Sequence, residues 1–293
     1  MQGKSSVRRW LRFAAAGVLL TGAAAFVACS DDDDDEAGDT TPVATQAATE
    51  EASAGEQAIQ QVFLDAIDAW NAADVEGFVG YFTDEGLISS FGDEGQTVEE
   101  LKVGLANFLG TVEVGSPEFS DVSVSGDTGS MDAVFSFGPV LQHSKFGLVK
   151  VGSDWKLNSE ESDLPVDVPA GATTIEVDMN EFAFGTDVTA ITGATGVFAL
   201  EAKNVGKQPH MLGLARVPAD ANVEELLQEE DPEGLEFIAG GEDIAPGASS
   251  NIVFVAPLDA GRYVMVCFLP DTDEGEEGTP HFMKGMLKEF TVE

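Results

Sequence analysis

The sequence predicts two folded units of different class: an α+β unit with helices packed on a curved antiparallel sheet, followed by an all-β sandwich. Three features of the chain support this. Apolar residues recur at helical spacing after residue 55, alternating strands replace that pattern after Gly110, and a second set of short strands follows a Pro- and Gly-containing stretch at 162–173. With 293 residues, 43% of them hydrophobic, the chain can form two cores of ordinary size.

Helices open the first unit, which we predict at 55–161. The apolar spacing from Ile59 to Trp70 predicts an amphipathic helix over 56–74, and a second short helix over 75–82. Thr97, with Glu100 three residues later, forms a capping box that starts a third helix. Strands bounded by Gly, Ser and Asp turns are then predicted at 119–124, 131–137, 140–151 and 155–157.

This first unit resembles the NTF2-like family, which includes ketosteroid-isomerase-like proteins. The resemblance rests on Trp70 and Asp74 of the first helix, on the Val-Glu-Gly-Phe stretch at 75–78, and on the closing stretch at 152–157. It implies a cone-shaped fold with a pocket. No catalytic pair accompanies the pocket, because its only histidine, His143, lies in a predicted strand. Three aspartates have the spacing of helix-surface or cap residues: Asp65, Asp68 and Asp84. We therefore expect a binding protein or electron carrier rather than an enzyme.

The second unit, predicted at 174–293, contains many short strands separated by Gly and Pro turns, a pattern typical of a β-sandwich. Phe182 and Phe184 alternate in an early strand. Asn222 and Glu225 predict a capping box that starts one short helix. The remaining strands are predicted at 175–179, 196–204, 211–217, 251–255, 263–268 and 286–292.

Four residues of this unit have the composition of a blue-copper ligand set: His210, Cys267, His281 and Met286. Two imidazoles and a thiolate, with a weak axial thioether, form such a site. The whole chain has only three His and two Cys, so a chance match is improbable. Thirteen residues lie between Cys267 and His281, and four between His281 and Met286.

The same unit resembles the cupredoxins, the family of plastocyanin and halocyanin. The matching stretches are Phe182-x-Phe184, Asn204-Val205-Gly206 before Pro209-His210, Pro246-Gly247, Gly261-x-Tyr263, Cys267, and His281-x4-Met286. The resemblance implies a Greek-key sandwich, one type 1 copper ion held by the four residues above, and electron transfer. The long loop before His281, and Met211 where the family often has Asn, depart from the pattern. A vestigial site is the alternative; the acidic residues of the loop lack the full calcium-loop pattern.

The N-terminus has the pattern of a lipoprotein signal peptide over residues 1–28. Four basic residues precede an apolar stretch that ends in Val27-Ala28-Cys29, which resembles a lipobox and implies lipid attachment at Cys29. A simple signal peptide or an uncleaved anchor are the alternatives, and the pair Arg8-Arg9 leaves the export route open. The composition of residues 29–54 predicts an acidic, disordered linker, and we expect residues 162–173 to connect the two units.

The formal net charge of −39 excludes a general nucleic-acid binder, which needs a basic surface. Attachment to a membrane must then come from the lipid anchor, on the extracytoplasmic face, and a cationic redox protein is a candidate partner. With Cys29 lipidated, Cys267 has no disulfide partner. The sequence thus favours a membrane-anchored copper protein. The alternative is a non-redox, metal-handling or ligand-binding lipoprotein whose pocket binds a small molecule.

Overall fold

The computed structural model describes residues 53–92, 95–162, 164–229, 232–241, 243–275 and 278–293. The predicted signal peptide, Cys29 and nearly all of the linker at 29–54 lie outside these residues. Among the described residues, no helix combines the length and the apolar character needed to cross a membrane. We refer below to residues 53–162 as the N-terminal segment and to residues 164–293 as the C-terminal segment.

Four helices open the N-terminal segment. Ser53 and Glu56 form a capping box at the first helix, and Thr97 and Glu100 form the predicted one at the fourth. The third helix was not predicted. Its residues include one glycine and two adjacent serines, which weaken the apolar periodicity, but Thr83 caps its first turn through the Gly86 amide at 2.9 Å. The helices are α1 (Ala54–Asn71), α2 (Val75–Gly80), α3 (Asp84–Phe91) and α4 (Val98–Leu105).

The helices pack on an antiparallel sheet, as the sequence predicts. Its strands are β1 (Glu118–Ser125), β2 (Thr128–Phe137), β3 (Val140–Val151) and β4 (Asp154–Glu161). The core between helices and sheet is rich in aromatic rings. Trp70 lies at its centre: the indole nitrogen donates to the Val112 carbonyl at 2.8 Å, and the ring contacts four phenylalanines, Phe78, Phe91, Phe108 and Phe137. Burying so many rings is the main source of stability here.

Two sheets form the C-terminal segment and enclose one apolar core. Their strands are β5 (Thr173–Asn180), β6 (Ala183–Gly185), β7 (Phe198–Asn204), β8 (Gly213–Val217), β9 (Glu236–Gly240), β10 (Ser249–Phe254), β11 (Gly261–Val266) and β12 (Leu287–Val292). In the first sheet the order is β10-β7-β5-β6, with β5 and β7 parallel, and in the second it is β12-β11-β8-β9. Two short helices, α5 (Val188–Thr192) and α6 (Val223–Leu226), connect strands.

The two segments share a sheet. Phe254 of β10 pairs with Val140 of β3, and the Val255 amide donates to the Pro139 carbonyl at 2.8 Å. The connection between the segments is also tied to β3, because the Leu164 amide donates to the His143 carbonyl and the His143 ring lies 2.9 Å from the Pro165 carbonyl. His143 therefore has a structural position at the junction.

Three details of the C-terminal segment differ from the sequence expectation. Phe182 is not in a strand: its φ of 63° places it in a left-handed turn before β6. Asn222 precedes α6 but its side chain makes no capping hydrogen bond, so the predicted capping box is wrong. Strand β9 and helix α5 were not predicted, because their short stretches show no clear period.

Candidate metal centre

Three of the four predicted ligands converge at one end of the sandwich. His210, Cys267 and His281 are each fully buried, and one donor atom from each lies within 4.8 Å of the other two. The two imidazole Nδ1 atoms are 3.2 Å apart, and the Cys267 Sγ is 3.4 Å from the His281 Nδ1. Two nitrogens bonded to one small metal ion at about 2.0 Å with tetrahedral angles lie about 3.3 Å apart. The spacing of the donors therefore fits a single ion.

Cys267 follows β11 directly, so the strand sets the position of its sulfur. Its amide donates to the Met286 carbonyl at 3.2 Å, which extends the β11–β12 ladder by one step. The Met211 amide points at Sγ from 3.4 Å. A hydrogen bond of this kind stabilises a thiolate and fixes its direction.

His210 is held by a separate bridge to Ile244. The two residues exchange backbone hydrogen bonds of 3.1 and 2.7 Å, and the Asn204 side chain donates to the carbonyls of Gln208 and Ile244 at 2.7 Å each. The His210 Nε2 is buried without a hydrogen bond, with the Glu181 carboxylate at 3.7 Å. A carboxylate in this position favours the proton on Nε2 and leaves Nδ1 free to bind a metal.

The long loop returns His281 to the site by a second ladder. Pro270 and Pro280 form a bridge, the His281 amide donates to the Leu269 carbonyl at 2.8 Å, and the Phe282 amide donates to the Cys267 carbonyl at 2.9 Å. These bonds bring the two ends of the loop together on either side of the donor atoms. The number of residues between Cys267 and His281 therefore does not prevent the two side chains from meeting.

Gln208 connects the loop to the side chain of His281. Its side-chain oxygen accepts hydrogen bonds from the Thr272 amide at 2.7 Å and hydroxyl at 3.0 Å, and lies 3.3 Å from the His281 Nε2. Its side-chain nitrogen donates to Asp271 at 2.8 Å. Gln208 was not singled out from the sequence, and no local pattern there could have identified it, because its partners lie more than 60 residues away.

The acidic loop is closed by one cation of the chain itself. The Lys284 ammonium pairs with the carboxylates of Asp271 and Glu274. Hydrogen bonding to Lys284 lowers the pKa of both carboxyl groups to about 2, with further donors from Gln208 for Asp271 and from Thr279 for Glu274. The ion pairs of these carboxylates with Lys284 therefore hold the loop in its conformation.

Met286, the predicted axial ligand, is fully buried in the same apolar core as Cys267. Its backbone contacts two of the donor residues: the amide donates to the His281 carbonyl at 3.0 Å, and the carbonyl accepts from the Cys267 amide. Gly285, with a φ of 104°, makes the turn that brings Met286 back. The coordination by its sulfur stays a prediction.

Burial sets the protonation of the three donor residues. It raises the pKa of the Cys267 thiol to about 11. Burial also lowers the pKa of both histidines, and the charge of His210 lowers that of His281 further. At neutral pH the site therefore holds a thiol and two neutral imidazoles. Imidazole and thiolate donors in a dry pocket fit copper, and a bound copper ion would supply one-electron chemistry.

No protein-family description and no curated protein matches the chain. Among solved structures, similarity is found to auracyanin from the photosynthetic bacterium Roseiflexus castenholzii, at 26% identity, over 42% of this chain and 99% of that one, with a TM-score of 0.28. A ketosteroid isomerase-like protein from Erwinia carotovora atroseptica matches at 17% identity, over 39% and 100%, with a TM-score of 0.30. A cystatin-like-fold protein from Nostoc punctiforme matches at 18%, over 40% and 82%, with a TM-score of 0.31.

Replacing Gln208 should disturb the metal site without removing a ligand. In Gln208→Leu the His281 Nε2 loses its acceptor and the loop loses its bonds to Thr272 and Asp271. We expect metal affinity to fall by about 10- to 100-fold, the usual effect of losing such a partner. Competition with a chelator measures this. Gln228→Leu, whose side chain bonds only within its own helical turn, is the control and should leave affinity unchanged. An unchanged affinity in Gln208→Leu would show that the backbone hydrogen bonds of the loop are enough to orient His281 without Gln208.

Proposed function

We propose that this chain is an extracytoplasmic lipoprotein with an NTF2-like domain followed by a cupredoxin domain, and that the second domain binds one copper ion and transfers electrons. The convergence of His210, Cys267 and His281 donors in a fully buried pocket carries the proposal. In the proposed site Met286 supplies the axial sulfur.

Burial of the donors favours electron transfer over catalysis. None of the three donor residues has solvent-exposed surface, so a substrate could not reach the ion directly. An electron, in contrast with a substrate, can be transferred through the protein that surrounds the ion. The ligands are held by backbone ladders on both sides, so a change in the charge of the ion would move them little.

The surface charge favours a cationic redox partner. At −39 the chain would attract positively charged proteins at long range and increase their rate of encounter at low ionic strength. The same charge repels anionic lipid, so we assign membrane attachment to a lipid on Cys29, with residues 29–54 as the spacer.

Adding copper(II) to the metal-free protein tests the copper site. We expect uptake of one ion per chain and an intense visible band from the thiolate–copper bond. About one proton should be released at pH 7.5, because the Cys267 thiol, with its pKa near 11, must lose its proton while the imidazoles are already neutral. Absorbance and a pH indicator in weak buffer measure both. A protein that stays colourless and binds no copper would contradict the proposal.

Voltammetry of the copper-loaded protein separates the two functions that such a site allows. A reversible one-electron couple is expected of an electron carrier. Copper that binds without a reversible couple would instead support the second candidate, a metal-handling lipoprotein with no redox role.

A further inference from the structure

A cavity of about 380 Å³ lies between the helices and sheet of the N-terminal segment and strand β9 of the C-terminal segment. This volume is within the range of small-molecule sites. Most of its wall is apolar, and ten of its 25 lining residues are aromatic, among them Phe63, Trp70 and Phe137. Flat apolar walls of this kind favour a flat apolar occupant.

Three of the six polar residues that line the cavity lie on β3 and β4; the other three are Ser90, Ser162 and Glu236. Gln142 lines the cavity, and among the described residues its side chain has no hydrogen-bond partner. Next to it, the Ser144 hydroxyl donates to the Glu160 carboxylate at 2.9 Å. His143, between them in sequence, points to the other face of the sheet and pairs with the Pro165 carbonyl. The cavity thus offers a ligand the Gln142 amide, and its lining includes two carboxylate residues, Glu160 and Glu236.

Strand β9 closes the cavity from the C-terminal segment, through residues 235–240. β9 is the edge strand of its sheet, so its outer backbone groups face away from the ladder. Phe237, one of these lining residues, has its ring 5.8 Å from that of Phe268, which follows the ligand Cys267 in the chain. The cavity wall therefore belongs to both segments.

We propose that this cavity binds an uncharged aromatic small molecule with one hydrogen-bonding group, and that the molecule contacts β9 as well as the N-terminal segment. The aromatic wall provides the apolar contact, the Gln142 amide pairs with the polar group, and the Glu160 carboxylate excludes anions. This site goes beyond the copper function and does not depend on it.

Two fluorescent probes with the same anilinonaphthalene ring system test whether the cavity prefers an uncharged ligand. Both are added to the full chain without bound metal. N-phenyl-1-naphthylamine is uncharged and has one N–H donor, whereas 8-anilino-1-naphthalenesulfonate adds a sulfonate. We expect the first to bind at one site per chain and to quench Trp70, and the second to bind roughly tenfold more weakly or worse. Equal affinity for both probes, or uptake that does not saturate, would overturn the proposal.

Two variants test the contribution of strand β9 to the cavity wall and the contribution of the Gln142 amide to binding. In Gly240→Leu a side chain enters open space beside β9 and reduces the cavity, and we expect at least about tenfold weaker probe binding. Gly196→Leu, also in open space but away from the cavity, is the control and should bind as the native chain does. Gln142→Leu keeps the size of the wall but removes the acceptor, and should weaken binding by about three- to tenfold. If neither Gly240→Leu nor Gln142→Leu changes the affinity, the probe binds elsewhere and the assignment is wrong.

Discussion

Cys267→Ser is expected to abolish the visible copper band completely. Cys267 supplies the thiol of the three-residue group, and a serine hydroxyl does not give a thiolate-to-copper transition. The release of a proton on copper binding should disappear with it, since the two remaining donors are neutral imidazoles. The fold should survive, because serine occupies almost the same volume. Absorbance and the proton count measured under the same conditions check both expectations.

The other cysteine provides the matched control. Cys29→Ser should keep the copper band at full intensity, while the protein moves from the membrane fraction to the soluble fraction of the cells that produce it. A visible band that survives in Cys267→Ser would show that other ligands hold the ion. A membrane-bound Cys29→Ser protein would instead contradict the lipid anchor and support an uncleaved apolar segment.

Trp70→Ala is expected to cause the largest loss of stability of any single change in the N-terminal segment. The indole is 4% exposed, contacts four phenylalanine rings and donates to the Val112 carbonyl. Removing a buried tryptophan lowers the free energy of unfolding by about 3–5 kcal/mol. Urea denaturation followed by circular dichroism measures the change.

The partly exposed Trp155 serves as the control for this change. It lies at the start of β4 under the Lys150 ammonium, and Trp155→Ala should cost less than about 2 kcal/mol. In both variants the copper band reports on the C-terminal segment. If the segments unfold as separate domains, the band should persist in Trp70→Ala at urea concentrations that unfold the N-terminal segment. Loss of both together would show that the shared sheet makes them one cooperative unit.

Most of the secondary structure could be predicted because apolar periodicity and turn residues are local signals. The fourth helix begins at Thr97 with its capping box, and β3 has the predicted bounds 140–151. The errors occur where local signals are weak or misleading. Phe182 alternates with Phe184 in the sequence, yet its left-handed backbone makes it a turn residue. Strand β9 is short and partly exposed, so only its pairing with β8 reveals it.

The three residues that converge in the candidate metal centre could be found from the sequence, but the residues that hold them in place could not. Cys267 at a strand end and two histidines are visible as a set, since the chain contains few such residues. Gln208, Glu181 and Lys284 could not be recognised, because each acts on a partner brought near only by the fold. The pairing of β3 with β10 is of the same kind: it joins residues more than 100 positions apart, and no period in the sequence indicates it.

The bridge between Pro270 and Pro280 has a consequence for how such a site can change over evolution. On one side of the bridge the backbone holds Cys267 and His281. On the other side, none of the residues of the loop that the structure describes, 271–275, 278 and 279, contributes a donor to the three-residue group. Asp271, Thr272 and Glu274 are held by Gln208 and Lys284, so only insertions, deletions and charge changes that spare these three residues can accumulate while the donor residues keep their positions. For the proposed copper protein, this arrangement would allow one reaction partner to be exchanged for another without a change in the residues that hold the ion.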